Sequence, residues 1–232
     1  MDFSYFSHFF DSFDSVEKSL QICTSVCALL VGIIGHEIMH GLVAYHYGDD
    51  TAKREGRLSI NPIKHIDLLG SVILPAILLF TNAPFLFGWA KPVPVNIPLI
   101  IAHRGYGAAC GVALAGVSYN LALALLASLL LFSGVFDEID GILLLSIAFF
   151  LIATIKYNVI LCVFNLLPIP PLDGSQVLLF GALKFRLISL ARFLQTIAPF
   201  GMFIIIGILF VPYLANVIFY PAKILLMFLL GG

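Results

Sequence analysis

Fixed charge is scarce in this chain. Twelve basic and thirteen acidic residues are spread over 232 positions and nearly cancel, to a net charge of −1. There is no basic surface of the kind that binds nucleic acid, so a nucleic-acid partner is excluded. Cysteine is scarce too. Cys23, Cys27, Cys110 and Cys162 all fall in apolar segments, which argues against a disulfide framework and makes them small packing residues. Cys23 and Cys27 are four apart, but a lone pair is a weak metal signal. A basic start is also missing. Asp2, Asp11, Asp14 and Glu17 make the first stretch acidic, where a secretory signal begins basic. Phe3, Phe6, Phe10 and Phe13 recur at helical spacing there, which predicts a short helix lying on a membrane surface.

What is abundant is hydrocarbon. The chain is 61% hydrophobic, with a mean hydropathy of +1.07; soluble domains hold roughly 45–50% apolar residues. Several runs reach the roughly 20 residues that span a bilayer. The expected fold is an all-α polytopic membrane protein with about six apolar helical segments. These run from Leu20 to Tyr47, Ile66 to Phe87, Arg104 to Phe132, Ile142 to Leu167, Ile188 to Val211 and Tyr213 to Leu230. Residues 1–19 read as an interfacial segment, 20–186 as the functional core and 187–232 as C-terminal transmembrane helices. Pro75 and Pro84 interrupt the second segment. Gly88-Trp89-Ala90-Lys91-Pro92-Val93-Pro94-Val95-Asn96 follows it. Its prolines exclude a helix and its valines suit a short extended or β edge.

Lys53, Arg54, Arg57, Lys64, Lys91, Arg104, Lys184, Arg186 and Arg192 lie in three connections, whereas Asp137, Glu138 and Asp140 lie in another. The excess of Lys and Arg places the basic connections in the cytoplasm. All three fit on one side only if the second segment is a re-entrant hairpin. Such backbone is tolerated where protein buries it. Lys156 and Asn158 sit within the fourth segment. Snorkelling accounts for the lysine and interhelical hydrogen bonding for the asparagine. Lys223, in the last segment, reads like Lys156.

Within this apolar background lies His36-Glu37-Ile38-Met39-His40. Residues four apart share a helix face, so His36 and His40 can present imidazole nitrogens to one metal ion, with Glu37 in reach of a water on it. HExxH occurs by chance in unrelated proteins. Here Ile33, Ile34, Ile38, Met39, Leu42 and Val43 surround it, and ionisable groups are so costly in hydrocarbon that those found there point to a function. A catalytic zinc takes three protein ligands and keeps an open position. The candidates for the third are His46, Glu55, Asp67 and Asp173. His46 is ten residues past His36, roughly 80° round an unbroken helix and about 15 Å further along. Glu55 stands between Arg54 and Arg57, as in a solvated loop. Asp67 precedes an apolar run, and spacing does not exclude it. Asp173 follows Pro168, Pro170 and Pro171, which stop the fourth segment. In the topology above it comes near the depth of the two histidines, but it could instead cap the next helix.

The pair HEIMH and Asn165-Leu-Leu-Pro-Ile-Pro-Pro-Leu-Asp173-Gly resembles the site-2 protease family of intramembrane zinc metalloproteases. So do Gly56-Arg57-Leu58-Ser59-Ile60-Asn61-Pro62, His65-Ile66-Asp67, the 88–96 stretch and Ala115-Gly116-Val117-Ser118-Tyr119-Asn120, over about Val31 to Leu179. These segments look like its compact bacterial branch, without a PDZ insertion or a nucleotide-binding tail. Val117 departs from the proline of many relatives. The resemblance implies that His36, His40 and Asp173 bind one zinc ion and that Glu37 is the general base. It implies that Asn165 holds substrate or the developing oxyanion and that Asn120 supports it there. It also implies a protease of the inner cell membrane acting on membrane proteins, with a transmembrane helix as substrate and its site open to the cytoplasm. The extended 88–96 stretch would pair with an unwound substrate strand. The alternative class is a metal carrier or non-catalytic scaffold; Glu37 argues against it, because neither needs a base beside the ligands.

Overall fold

A computed structural model describes residues 15–81, 88–136 and 138–231. The expected interfacial helix around Phe3 to Phe13 lies outside them. Helix α1 spans Ser15–His46, α2 Thr51–Arg54, α3 Leu74–Phe80, α4 Ile97–Leu131 and α5 Gly141–Asn165. The remainder are α6 (Asp173–Lys184), α7 (Ile188–Ile197), α8 (Gly201–Phe210) and α9 (Pro212–Leu229). Five stretches are long and apolar enough to cross a membrane: Val16–His46, Ile97–Leu131, Gly141–Asn165, Ile188–Phe210 and Pro212–Leu229. The fourth is interrupted by a 3-10 turn at Ala198–Phe200, where Pro199 removes an amide donor.

Helices α1, α4 and α5 pack against one another; α6 lies on α4 and α9 on α5. Small side chains make the close approach possible. Ala108, Ala109, Ala113, Ala115 and Gly116 are buried on α4, and a Cβ on Gly35 would stand 2.1 Å from the Tyr119 ring. In lipid there is little hydrophobic drive between helices, so this packing carries much of the association. Ala124, Ala127, Leu151, Ile155, Val159, Ala222 and Leu226 close the core between α4, α5 and α9. Leu121, Leu125, Leu126 and Leu129 of α4 face outward, as an apolar solvent allows.

Helix α4 begins earlier than the sequence suggests. Asn96 caps it by accepting from the Leu99 amide at 3.1 Å, and a proline sits in its first turn. At Gly105 the backbone takes φ +77° and ψ 179°, a region open essentially to glycine alone. The helix is therefore broken between 97–104 and 106–131.

The second apolar segment forms a π-helical turn, Leu68–Ile73, running into α3. Together they are about 20 Å long, short of the roughly 30 Å hydrocarbon core. The chain then returns to where it started. The Trp89 amide donates to Gly70 O at 3.2 Å and the Lys91 amide to His65 O at 2.8 Å. Ser71 donates to Trp89 O at 2.8 Å, and the Trp89 ring lies where a Cβ on Gly70 would be. Trp89 and Lys91, just past the segment, thus lie beside its beginning, as a re-entrant hairpin requires. Cysteine probes at Ser59 and Asn96, in a chain freed of its own four cysteines, are expected to label from the same side of a sealed vesicle. Labelling from opposite sides would show that the segment spans.

The β character expected for 88–96 is not found: no strand occurs among the described residues. The physical reason is where its amides go. Pro92 and Pro94 have none. Those of Trp89 and Lys91 go to Gly70 and His65, that of Val93 to the Glu37 carboxylate at 2.8 Å, and that of Asn96 to Asp49. No neighbouring strand is there to receive them. Asp49, 1% exposed, also accepts from the Thr51 amide and hydroxyl. Burial pushes its carboxyl up, and the Thr51 and Asn96 donors more than offset this and hold it below the usual range. This anchor is therefore present at neutral pH and is lost as pH falls through the lowered value.

Candidate metal centre

Helix α1 carries His36, Glu37 and His40 near its C-terminal end. His36 can sit against α4 because residue 116 is glycine; a Cβ there would stand 2.5 Å from the imidazole ring. Gly41, on the next turn, leaves room for Leu58 and Val93, which would lie 2.6 and 2.9 Å from a Cβ. The Glu37 base candidate is thereby brought against the 88–96 stretch.

Asp173 arrives from the other side of the molecule. The proline-rich turn after α5 folds back tightly, with Gly174 so close to Leu166 O that a Cβ would stand 2.1 Å away. Ser175 closes the turn by donating to Leu172 O at 2.6 Å. Leu172, not Asp173, is the N-cap of α6, and it makes no side-chain capping bond. The Asp173 carboxylate is therefore not spent on the helix and points at the histidines.

The three side chains converge. His36 Nε2 and His40 Nε2 are 3.1 Å apart, and Asp173 Oδ2 lies 3.3 and 3.4 Å from them. The protons on the rings are committed elsewhere. His36 Nδ1 is 2.6 Å from Asn120 Oδ1 and His40 Nδ1 is 2.7 Å from Val112 O. Both partners are acceptors, so each Nδ1 is the donor, and the uncharged tautomer with that proton turns its Nε2 lone pair inward. The Asn120 amide orientation is fixed in turn, since its Nδ2 donates to Gly32 O at 3.2 Å and Asn158 Oδ1 at 2.7 Å. Asp173 Oδ2 is buried and has no hydrogen-bond donor. In that tautomer three electron-pair donors face one point, an arrangement that repels itself unless a cation lies there. Ligands at 2.0–2.1 Å from a tetrahedral zinc stand about 3.3–3.4 Å apart. Two imidazoles and a carboxylate at these separations fit that ion. Among the described residues this is the one such cluster of three.

The other sequence candidates are elsewhere. His46 is exposed and stacks edge-on with Tyr47, ring centroids 5.5 Å apart. Glu55 is an exposed helix C-cap. Asp67 caps the π-helical turn, accepting from the Gly70 amide at 2.7 Å. Asn165 donates to Leu161 O at 3.0 Å, within its own helix, and no hydrogen bond among the described residues joins it to the three. Asn120 is 0% exposed, with its oxygen on His36 and its nitrogen on two acceptors. Its side-chain hydrogen bonds go to His36, Gly32 and Asn158, so Asn120 orients the His36 imidazole. Asn158 extends the network, and its Nδ2 donates to Thr154 O at 2.8 Å. Sequence reasoning placed Asn158 in an interhelical hydrogen bond without finding its partner.

Asn120→Leu is expected to weaken divalent-metal affinity roughly 10- to 100-fold, the usual cost of losing such a partner. A competition titration with a fluorescent chelator reads this directly. Unchanged affinity would mean that His36 keeps its orientation without Asn120.

Among known proteins, the chain is similar to "Putative zinc metalloprotease YwhC" of Bacillus subtilis, 40% identical over 159 residues that cover 66% of each chain. It is 33% identical over 156 residues to "Putative zinc metalloprotease Rip2" of Mycobacterium tuberculosis, covering 66% of this chain and 55% of that one. A protein of the same name from Mycolicibacterium smegmatis is 30% identical over 192 residues, covering 82% of this chain and 67% of its own length. The chain thus spans just over half of the M. tuberculosis relative and about two thirds of the other two. No family model matches, and no solved structure matches.

Proposed function

The chain belongs to the site-2 protease family of zinc metalloproteases, and from that premise we propose that it hydrolyses peptide bonds in or near transmembrane helices of membrane-protein substrates. The observation that carries the reading is the convergence of His36 and His40, on a helix long and apolar enough to cross a membrane, with Asp173 at the start of α6, and a glutamate one residue from the first of them.

His36, His40 and Asp173 would hold the zinc. Bound there, the ion supplies a Lewis acid that polarises a peptide carbonyl and makes water acidic enough to lose a proton near neutral pH. Glu37 takes that proton and returns it to the leaving amine. Its Oε2 is held by the Val93 amide, which fixes the carboxylate and leaves Oε1 for the water. Asn165 is the candidate donor to the developing oxyanion; to act it must first release Leu161 O. A substrate helix must unwind locally, because its carbonyls are otherwise hydrogen-bonded within it. The excess of Lys and Arg in the basic connections supports a site that opens to the cytoplasmic side.

The test is reconstitution. The full chain in liposomes, with a single-span test substrate, is expected to cut within or beside the apolar span, to stop on chelation and to resume on adding zinc. Mass spectrometry of the fragments locates the cut. Cleavage confined to a soluble loop distant from the span would overturn the intramembrane reading and leave a membrane-anchored metalloprotease.

A further inference from the structure

Arg57 is 8% exposed, yet no carboxylate pairs with it among the described residues. A guanidinium without a counter-ion is costly to bury, so what holds it there matters. One of its terminal nitrogens, Nη2, donates to Lys91 O at 2.8 Å and to Pro92 O at 3.2 Å. The carbonyl of Pro92 belongs to the same peptide group as the Val93 N–H, and that N–H donates to Glu37 Oε2 at 2.8 Å. One peptide group therefore lies between a cation on its oxygen and an anion on its hydrogen. Each bond polarises the peptide in the sense that strengthens the other.

The local sequence leaves no alternative donor. Pro92 and Pro94 lack N–H groups, so Val93 has the one amide in the Pro-Val-Pro run. The ends of the stretch are pinned as well, by the Lys91 amide on His65 O and the Asn96 amide on Asp49. His65 is itself buried and fixed to Ser59 O at 2.7 Å. With both flanks tied down, the orientation of the 92–93 peptide is what Arg57 determines.

We infer that Arg57 is a positioning residue for the general base: through the 92–93 peptide it presents the Val93 N–H to Glu37 and so sets the direction of the Glu37 carboxylate. The inference rests on the proposed protease reading and adds to it a residue that touches neither the metal ligands nor the base. Arg57 thus acts on the rate of the chemical step and not on metal binding.

The experiment uses the full-length protein in detergent, with Arg57→Met, Arg57→Lys, Val93→Pro and the Arg57→Met/Val93→Pro pair. Zinc content, kcat and KM are measured on the single-span substrate, and hydrogen–deuterium exchange is followed at residues 91–96. Arg57→Met is expected to keep wild-type zinc and a KM within about 2-fold, with kcat lower by at least about 10-fold; a positioned base is worth roughly 10²- to 10⁴-fold. Arg57→Lys, which keeps a donor, should recover part of that loss. Val93→Pro removes the N–H and should cost a similar factor. The paired variant should be no worse than the poorer single one by more than about 2-fold, because both break one chain of bonds. Exchange at the Val93 amide should rise about 10-fold or more in Arg57→Met while α1 stays protected. Wild-type kcat in a zinc-loaded Arg57→Met protein, or losses that multiply in the pair, would overturn the inference. If Arg57→Met does not fold, Val93→Pro with full zinc and unchanged kcat overturns it equally. If the wild type binds zinc but cleaves nothing, the proposed activity fails. Exchange then decides the inference by itself: unchanged protection at Val93 in Arg57→Met overturns it, and lost protection supports it.

Discussion

Asp173→Ala protein is expected to purify with little bound zinc and to cleave nothing. Two histidines alone leave a catalytic zinc one protein ligand short. Asp173 is the group whose buried oxygen lies 3.3 and 3.4 Å from both Nε2 atoms and has no other partner. Affinity should therefore fall by more than the roughly 10- to 100-fold seen for loss of an outer partner. The fold should survive, because the carboxylate does not cap α6 and the turn is closed by Ser175 and the glycine beside it. Asp67→Ala is the matched control. Asp67 caps the π-helical turn, so its loss should cost about 1 kcal/mol of stability and leave the metal in place. A folded Asp173→Ala protein with full zinc occupancy would remove Asp173 from the ligand set.

Glu37→Gln is expected to separate binding from chemistry. Glutamine keeps the shape of the side chain, and its carbonyl oxygen can still accept from the Val93 amide. The two histidines and Asp173 are untouched, so zinc should remain at the wild-type level. What is lost is the ability to take a proton from water, and turnover should fall by roughly 10²- to 10⁴-fold or below detection. A metal carrier would behave differently: its metal affinity, transport and release would be indifferent to this change. Normal cleavage by Glu37→Gln protein would remove Glu37 from the mechanism.

Some of this was legible in the residues because the physics is local. An apolar run with His36 and His40 four apart puts both rings on one helix face whatever the remaining chain does. Asp173 was harder, since its place depends on how α5 ends and which way the proline turn points. Spacing alone left Asp67 open, and only the Gly70 amide on its carboxylate closed that option. The valines of the 88–96 stretch suggest a β edge, but propensity carries no information on hydrogen-bond partners. Those partners are side chains and carbonyls far away in sequence, Glu37 and Asp49 among them. Helix α4 starts earlier than the apolar pattern, which begins at Arg104, because Asn96 and Pro98 form a capping signal upstream of it. Asn120 and Asn158 are isolated polar residues on two apolar helices. That they meet each other, and through Asn120 meet His36, is a property of how α1, α4 and α5 cross.

His36, His40 and Asp173 are expected to hold one zinc ion as its protein ligands. X-ray absorption at the zinc edge of the purified, active protein tests it most directly. The expected result is one zinc per chain, with two imidazoles and otherwise oxygen ligands, all at about 2.0–2.2 Å. In Asp173→Ala protein that signal should be lost or reduced to weakly held metal. A sulfur shell near 2.3 Å would place the zinc at cysteine instead, and a spectrum with fewer than two imidazoles would contradict the account at its core.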